Sequence, residues 1–139
     1  MTEGYRTFDH TGDLGLEVWA GTPERLFARA ATALLAQVAE AAEGPVEVRA
    51  DLDLEADDAA DLLVHWLNSA LLESELRRAV WTRAHVHRLT PRSLSATLEG
   101  PRLDPVRQTI LREVKAVSHH GLELVLDPPD CRCRVVLDL

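Results

Sequence analysis

The sequence predicts an α+β fold in one domain spanning residues 1–139, a mixed or antiparallel β-sheet with two amphipathic α-helices packed on one face. Three observations carry this. Two stretches place apolar residues at helical spacing. Several others alternate apolar and polar residues with period two. Most of the alternating stretches fall in the second half, where Gly, Pro and Asp supply turns between them. At 139 residues the chain is long enough to bury a hydrophobic core without disulfide or metal staples.

The elements follow in order. Leu14, Leu16, Val18 and Ala20 alternate with polar or small residues and predict a strand over 14–20. Thr22 suits a helix N-cap, Pro23 the first helical position and Glu24 the positive end of the helix dipole. Leu26, Ala30, Leu34 and Val38 then recur at four-residue steps, with Phe27, Ala31 and Leu35 beside them. They predict a helix over 23–41 that ends near Gly44-Pro45. Val46, Val48, Ala50, Leu52 and Leu54 alternate with charged residues and predict a half-buried strand over 46–54. Asp57 or Asp58 caps a second helix, whose inner face holds Leu62, Leu63, Trp66, Leu67, Ala70 and Leu71 and which runs to about Arg78. Strands are then expected over 80–87, 93–98, 110–118, 122–126 and 131–137. His119-His120-Gly121 and Asp127-Pro128-Pro129-Asp130 form the turns between the last three.

Composition narrows the function. The apolar fraction of 46% and charged fraction of 27% are those of an ordinary globular protein. A net charge of −8 argues against gripping nucleic acid directly, because phosphate contacts need clustered Lys and Arg. Any work on RNA or DNA is expected to run through a partner. Two cysteines, an N-terminus without an apolar leader and the lack of any run near 20 apolar residues point to a cytoplasmic protein with no membrane segment. Of the 15 Lys and Arg residues only Lys115 is lysine, and an ammonium is not interchangeable with a guanidinium.

Four constellations could carry chemistry. In Asp9-His10-Thr11-Gly12-Asp13-Leu14-Gly15, read as a loop between strands, Asp9 and Asp13 either bind a cation or tie up the turn by local hydrogen bonds. At the other end, Asp138 and the carboxylate of Leu139 put two anions together. They repel unless a cation joins them or water screens them, and hard oxygen donors suit Ca²⁺ or Mg²⁺. His85 and His87 with Cys131 and Cys133 offer zinc-type ligands, but not at the spacing of a zinc finger or ribbon. The blander reading is solvent-facing histidines and packed thiols. Lys115, Val117 and His119 share one face of an expected strand, either as an acid–base group with His120 or as a wet edge. No phosphate loop, nucleophile elbow or dinucleotide fingerprint is present, so no motif identifies an enzyme.

In this order the segments resemble the archease family over essentially the whole chain. Phe8-Asp9-His10-Thr11-Gly12-Asp13-Leu14-Gly15-Leu16 is similar to the family's opening motif, Asp-His-Thr-Ala-Asp-x-Gly, with Gly12 where Ala is usual. The helix after Thr22-Pro23-Glu24, the stretch Asp61–Leu67, the stretch Val114–His120 and the ending Arg134–Leu139 match in kind and order. The resemblance implies a non-catalytic accessory protein. It would stimulate the GTP-dependent RNA ligase of tRNA splicing and RNA repair, aiding guanylylation of the ligase histidine and repeated turnover. It also implies a divalent cation, assigned as calcium in the family, with Mg²⁺ or Mn²⁺ as alternatives. The ligands carried across are Asp13, Asp138 and Leu139. Lys115 and His120 match further family positions, while His119 stands where Tyr is common. Two other functions are expected to leave different traces: a small metal-dependent hydrolase, and a metal-independent adaptor.

Overall fold

A computed structural model describes residues 3–40 and 44–139. The elements are β1 (Gly4–His10), β2 (Asp13–Ala20), α1 (Pro23–Val38), β3 (Ala39–Glu40), β4 (Val48–Glu55), α2 (Ala59–Arg77), β5 (Arg83–Leu89), β6 (Ser93–Gly100), β7 (Thr109–Ile110), β8 (Ala116–Asp127) and β9 (Asp130–Asp138). All pairings between these strands are antiparallel. They form a four-stranded sheet in the order β1-β2-β9-β8, a three-stranded sheet β4-β6-β5, and the ribbon β3-β7. This is the expected α+β class, with the strands divided between two sheets.

Why the strands divide follows from the helices. Helix α1 packs on β2 and β9 of the larger sheet and on β5 of the smaller one. Helix α2 packs on β8 of the larger and on β4 and β6 of the smaller. Each helix therefore lies between the sheets, and each needs apolar residues around most of its circumference. In α1, Leu26, Phe27, Ala30, Ala31, Leu34 and Leu35 are fully buried, leaving a narrow outer stripe of Arg25, Arg29, Thr32 and Ala36. Alternation supplies the sheet faces. Leu16, Val18 and Ala20 of β2 and Cys131, Cys133, Val135 and Leu137 of β9 point inward from one side, and Leu94, Ala96 and Leu98 of β6 from the other. Trp66 and Trp81 are buried whole because each indole N–H finds a carbonyl, that of Phe27 at 2.8 Å and that of Ala70 at 2.9 Å.

Both helix caps form as expected. Thr22 Oγ1 accepts the Arg25 N–H, and Asp58, rather than Asp57, accepts the Asp61 N–H at 2.8 Å. Several boundaries move. Helix α1 stops at Val38, not residue 41, because Ala39 and Glu40 turn extended and pair with Ile110 and Thr109; residues 41–43 lie outside the described residues. Strand β4 begins at Val48, not Val46. Strand β5 begins at Arg83, because Val80 and Trp81 leave the alternating pattern and are both buried in an irregular segment against Gly100. The expected strand 110–118 is broken: β7 holds only Thr109 and Ile110, and residues 111–115 are irregular. His119-His120-Gly121 is not a hairpin turn. It lies in a bulge within the single strand β8, between the pairs Ser118–Val136 and Glu123–Arg134. The turn at Asp127–Asp130 forms as expected, closing β8 onto β9. Among the described residues no helix is long and apolar enough to cross a membrane.

Candidate cation site at the ends of β2 and β9

The opening polar stretch is a hairpin, not a loop. His10 pairs with Asp13, so only Thr11 and Gly12 make the turn, and Gly12 takes φ +75°, a left-handed value that a side chain disfavours. Strand alternation then separates the two acids. Asp13 is opposite His10, while Asp9 is opposite Leu14 and faces the other side of the sheet. The expected Asp9–Asp13 pair is therefore not formed.

Asp13 gains a different neighbour. The β2–β9 ladder runs from Ala20–Cys131 to Leu14–Leu137 and ends there; one further step in the same register would oppose Asp13 and Asp138. Directly opposed residues of an antiparallel pair share a face, which puts both carboxylates on the outer side of the larger sheet. On the far side of β9, Ala116 pairs with Asp138, and the Lys115 N–H donates to the Asp138 carbonyl at 2.8 Å. Asp138 is thus held against the start of β8, while Leu139 lies beyond the end of β9 and is exposed.

Histidines close the site. His10 Nδ1 lies 3.8 Å from Asp13 Oδ2, beyond hydrogen-bond reach, and is buried without a partner. The His10 ring meets His120 edge to face, with centroids 6.2 Å apart. The β8 bulge sends the two neighbouring histidines to different elements. His120 joins His10 on the outer face, while His119 Nε2 reaches Asp61 of α2 at 3.1 Å. Lys115 is exposed and outside any strand, so the face it was expected to share with Val117 and His119 does not exist; Val117 is buried and His119 is turned to α2. Behind the site, Phe8 lies flat across Gly15, where a Cβ would collide with its ring, and the Arg134 guanidinium stacks on Phe8 at 3.9 Å.

The donor chemistry fits a hard divalent cation. Asp13 and Asp138 are both oxygen donors, and the buried, unpartnered His10 nitrogen beside Asp13 is a polar group with a contact unmade. Among the described residues no three His, Cys, Asp or Glu side chains are gathered as a metal-binding group. The expected set contains only two such side chains.

The zinc-type constellation does not assemble. Cys131 and Cys133 are buried on the inner face of β9, and burial pushes the Cys133 thiol up to about 12. His85 and His87 belong to the other sheet, where their rings stack edge to face at 4.6 Å and His87 Nε2 lies 2.7 Å from Thr97 Oγ1. These are packed thiols and surface histidines. The contact that sequence reasoning missed is His10 with His120, two residues far apart in the chain; only the register of β1, β2, β9 and β8 brings them together.

Comparison with known proteins decides the family. The Archease protein family (MTH1598/TM1083) matches residues 5–139. The chain belongs to the archease family. Protein archease of Methanopyrus kandleri is 27% identical over 138 residues, covering 97% of this chain and 99% of the relative. Protein archease of Methanosarcina barkeri is 25% identical over 139 residues, covering 97% and 95%. The solution structure of Methanobacterium thermoautotrophicum protein 1598 superposes with a TM-score of 0.72 at 25% identity, covering 98% of this chain and 99% of that one. In this archease, Gly12 and His119 depart from the residues expected at those positions: Gly12 makes the hairpin turn beside the candidate site, and His119 lies in the β8 bulge, turned to α2.

Proposed function

We propose that this archease is a metal-binding accessory protein that activates the GTP-dependent RNA ligase of tRNA splicing and RNA repair, promoting guanylylation of the ligase and its multiple turnover. Family membership supports the partner. The observation that supports the cation reading is the register of β2 on β9, whose last pair, Leu14–Leu137, adjoins Asp13 on one strand and Asp138 on the other. Asp13, Asp138 and Leu139 hold the cation, Ca²⁺ first and Mg²⁺ or Mn²⁺ as the other hard ions. Bound there, the ion supplies the positive charge that lets neighbouring carboxylates stay ionised together. The rest is done by the chain itself. The Lys115 N–H fixes the Asp138 backbone, and His10, packed edge to face on His120, stands 3.8 Å from Asp13. A net charge of −8 suits docking on a basic ligase in the cytoplasm rather than gripping RNA directly.

The test is a ligation assay with purified ligase at one-tenth of the RNA concentration. Adding the wild-type chain is expected to carry the reaction past one turnover per ligase, and Asp13→Asn or Asp138→Asn to abolish that gain. Equal turnover with and without the chain would sink the proposal. Full stimulation by both variants would leave a metal-independent adaptor in its place. Turnover of phosphoesters by the chain alone, lost in Asp13→Asn, would instead make it a metal-dependent hydrolase.

A further inference from the structure

The four outer sheet edges are not treated alike. On the α2 side both are covered. The Asn68 side chain donates to the Val117 carbonyl at 3.1 Å and accepts its N–H at 2.8 Å, standing in for a strand beside β8. Along β4, Arg77 donates to the Arg49 carbonyl at 3.3 Å and His65 Nδ1 lies 3.1 Å from the Glu55 carbonyl. On the α1 side, among the described residues, no side chain bonds to the backbone of β1 or of β5. Because His10 and Asp13 close a two-residue hairpin, alternate residues Tyr5, Thr7 and Asp9 turn their N–H and C=O groups away from β2, toward that open edge. A bare edge of this kind is a template for another strand.

Between the β1 and β5 edges runs a groove floored by the outer stripe of α1. One part is a cavity of about 730 Å³ lined by Tyr5, Thr7, Ala36, Trp81 and Leu111. The next is a cavity of about 350 Å³ lined by Arg25, Arg29, Thr32, Arg83, His85 and Glu99. Thr82 lines both, so the groove is continuous. Its charge is uneven. Arg25 is held by Glu3 at 2.8 Å, and Arg29 stacks on the Tyr5 ring at 5.1 Å. Neither Arg29 nor Arg83 has a carboxylate within ion-pair reach among the described residues. Three arginines against Glu3 and Glu99 leave this half with a small cationic excess on a chain of net charge −8, carried by Arg29 and Arg83. The other half holds one charge of each sign, Arg6 and Glu40.

We infer that this groove is a docking site for an extended, acidic segment of a partner protein, which adds as a strand to the edge of β1. Backbone pairing with Tyr5, Thr7 and Asp9 supplies the affinity, and carboxylates over Arg29 and Arg83 supply the preference. The site is separate from the cation site. The groove lies along the α1 side of the larger sheet, whereas Asp13 and Asp138 stand on its outer face.

The probe is a fluorescein-labelled nonapeptide of alternating Glu and Val, compared with its Lys/Val counterpart. The acidic peptide is expected to bind the full chain with a Kd below about 1 mM. It should shift the ¹⁵N amide resonances of Tyr5, Thr7, Asp9 and Arg83. The Arg29→Glu/Arg83→Glu double variant is expected to weaken binding about tenfold. Thr7→Pro, which removes an outward N–H without touching the β1–β2 ladder, is expected to weaken it as well, with thermal unfolding confirming that each variant is folded. No binding, equal binding of the Lys/Val peptide, or shifts confined to other surfaces would overturn the inference. So would a dimer in solution that buries the β1 edge. None of these readouts involves a ligase, so their failure leaves the proposed function untouched.

Discussion

Gly15 is the residue on which the back of the candidate site rests. A methyl group there would occupy the position of the Phe8 ring, and Phe8 in turn carries Arg134. Gly15→Ala is expected to cost about 1–3 kcal/mol, as overpacking does, and to release Arg134 from the ring. Urea unfolding measures the loss. Cys133 makes the second prediction at this level. Its thiol is raised from 9.0 to about 12 by burial. The folded state therefore holds its proton longer than the unfolded state does. Its contribution to stability is whole below pH 9 and declines between pH 9 and 12, by about 1.4 kcal/mol per pH unit. At pH 8 the native thiol should be inert toward a disulfide reagent and should react once denaturant is added. A native protein that reacts at the rate of a free thiol would contradict the packing described.

Among the helices and strands, Asn68 decides how β8 meets α2. Its amide exchanges two hydrogen bonds with Val117, a strand position that has no strand neighbour on that side. Asn68→Leu keeps the size but leaves a largely buried N–H and C=O unpaired, at a cost of about 2–4 kcal/mol. Amide hydrogen exchange should report it at Val117, with faster exchange there than in β2. Unchanged protection would mean that solvent already serves those groups. The helices owe their long buried faces to the same arrangement. Alanines at 28, 30, 31 and 33 of α1 let its backbone approach the sheets and α2 closely, and a larger residue at any of them would meet neighbours within the core.

Across the full chain, the cation reading predicts a link between its two ends. If Asp13, Asp138 and Leu139 share an ion, Ca²⁺ at about 100 times its Kd adds about 2.7 kcal/mol to the folded state. Thermal unfolding of the wild-type chain should rise by several degrees on adding Ca²⁺ and fall back with a chelator. Asp13→Asn should unfold at the same temperature under both conditions. A wild-type midpoint indifferent to Ca²⁺, Mg²⁺ and Mn²⁺ would leave the register of β2 on β9 without a bound ion to explain.

How much of this is legible in residue order differs by kind of signal. The caps at Thr22 and Asp58, the periodicity of both helices and the alternation of β2, β4, β6 and β9 are local, and residue order alone specifies them, because turn chemistry and side-chain periodicity act within a few residues. The same local signals fail where tertiary packing overrides them. The β8 bulge hides behind a Gly that reads as a turn, and Val80 and Trp81 read as strand yet pack in an irregular segment. That the strands form two sheets around the helices, that the start of β2 lies against the end of β9, and that His10 meets His120 emerge only once the chain is packed in three dimensions. The reason is physical: strand order and register are set by which apolar faces can be buried together across distant segments, and no local pattern encodes that choice.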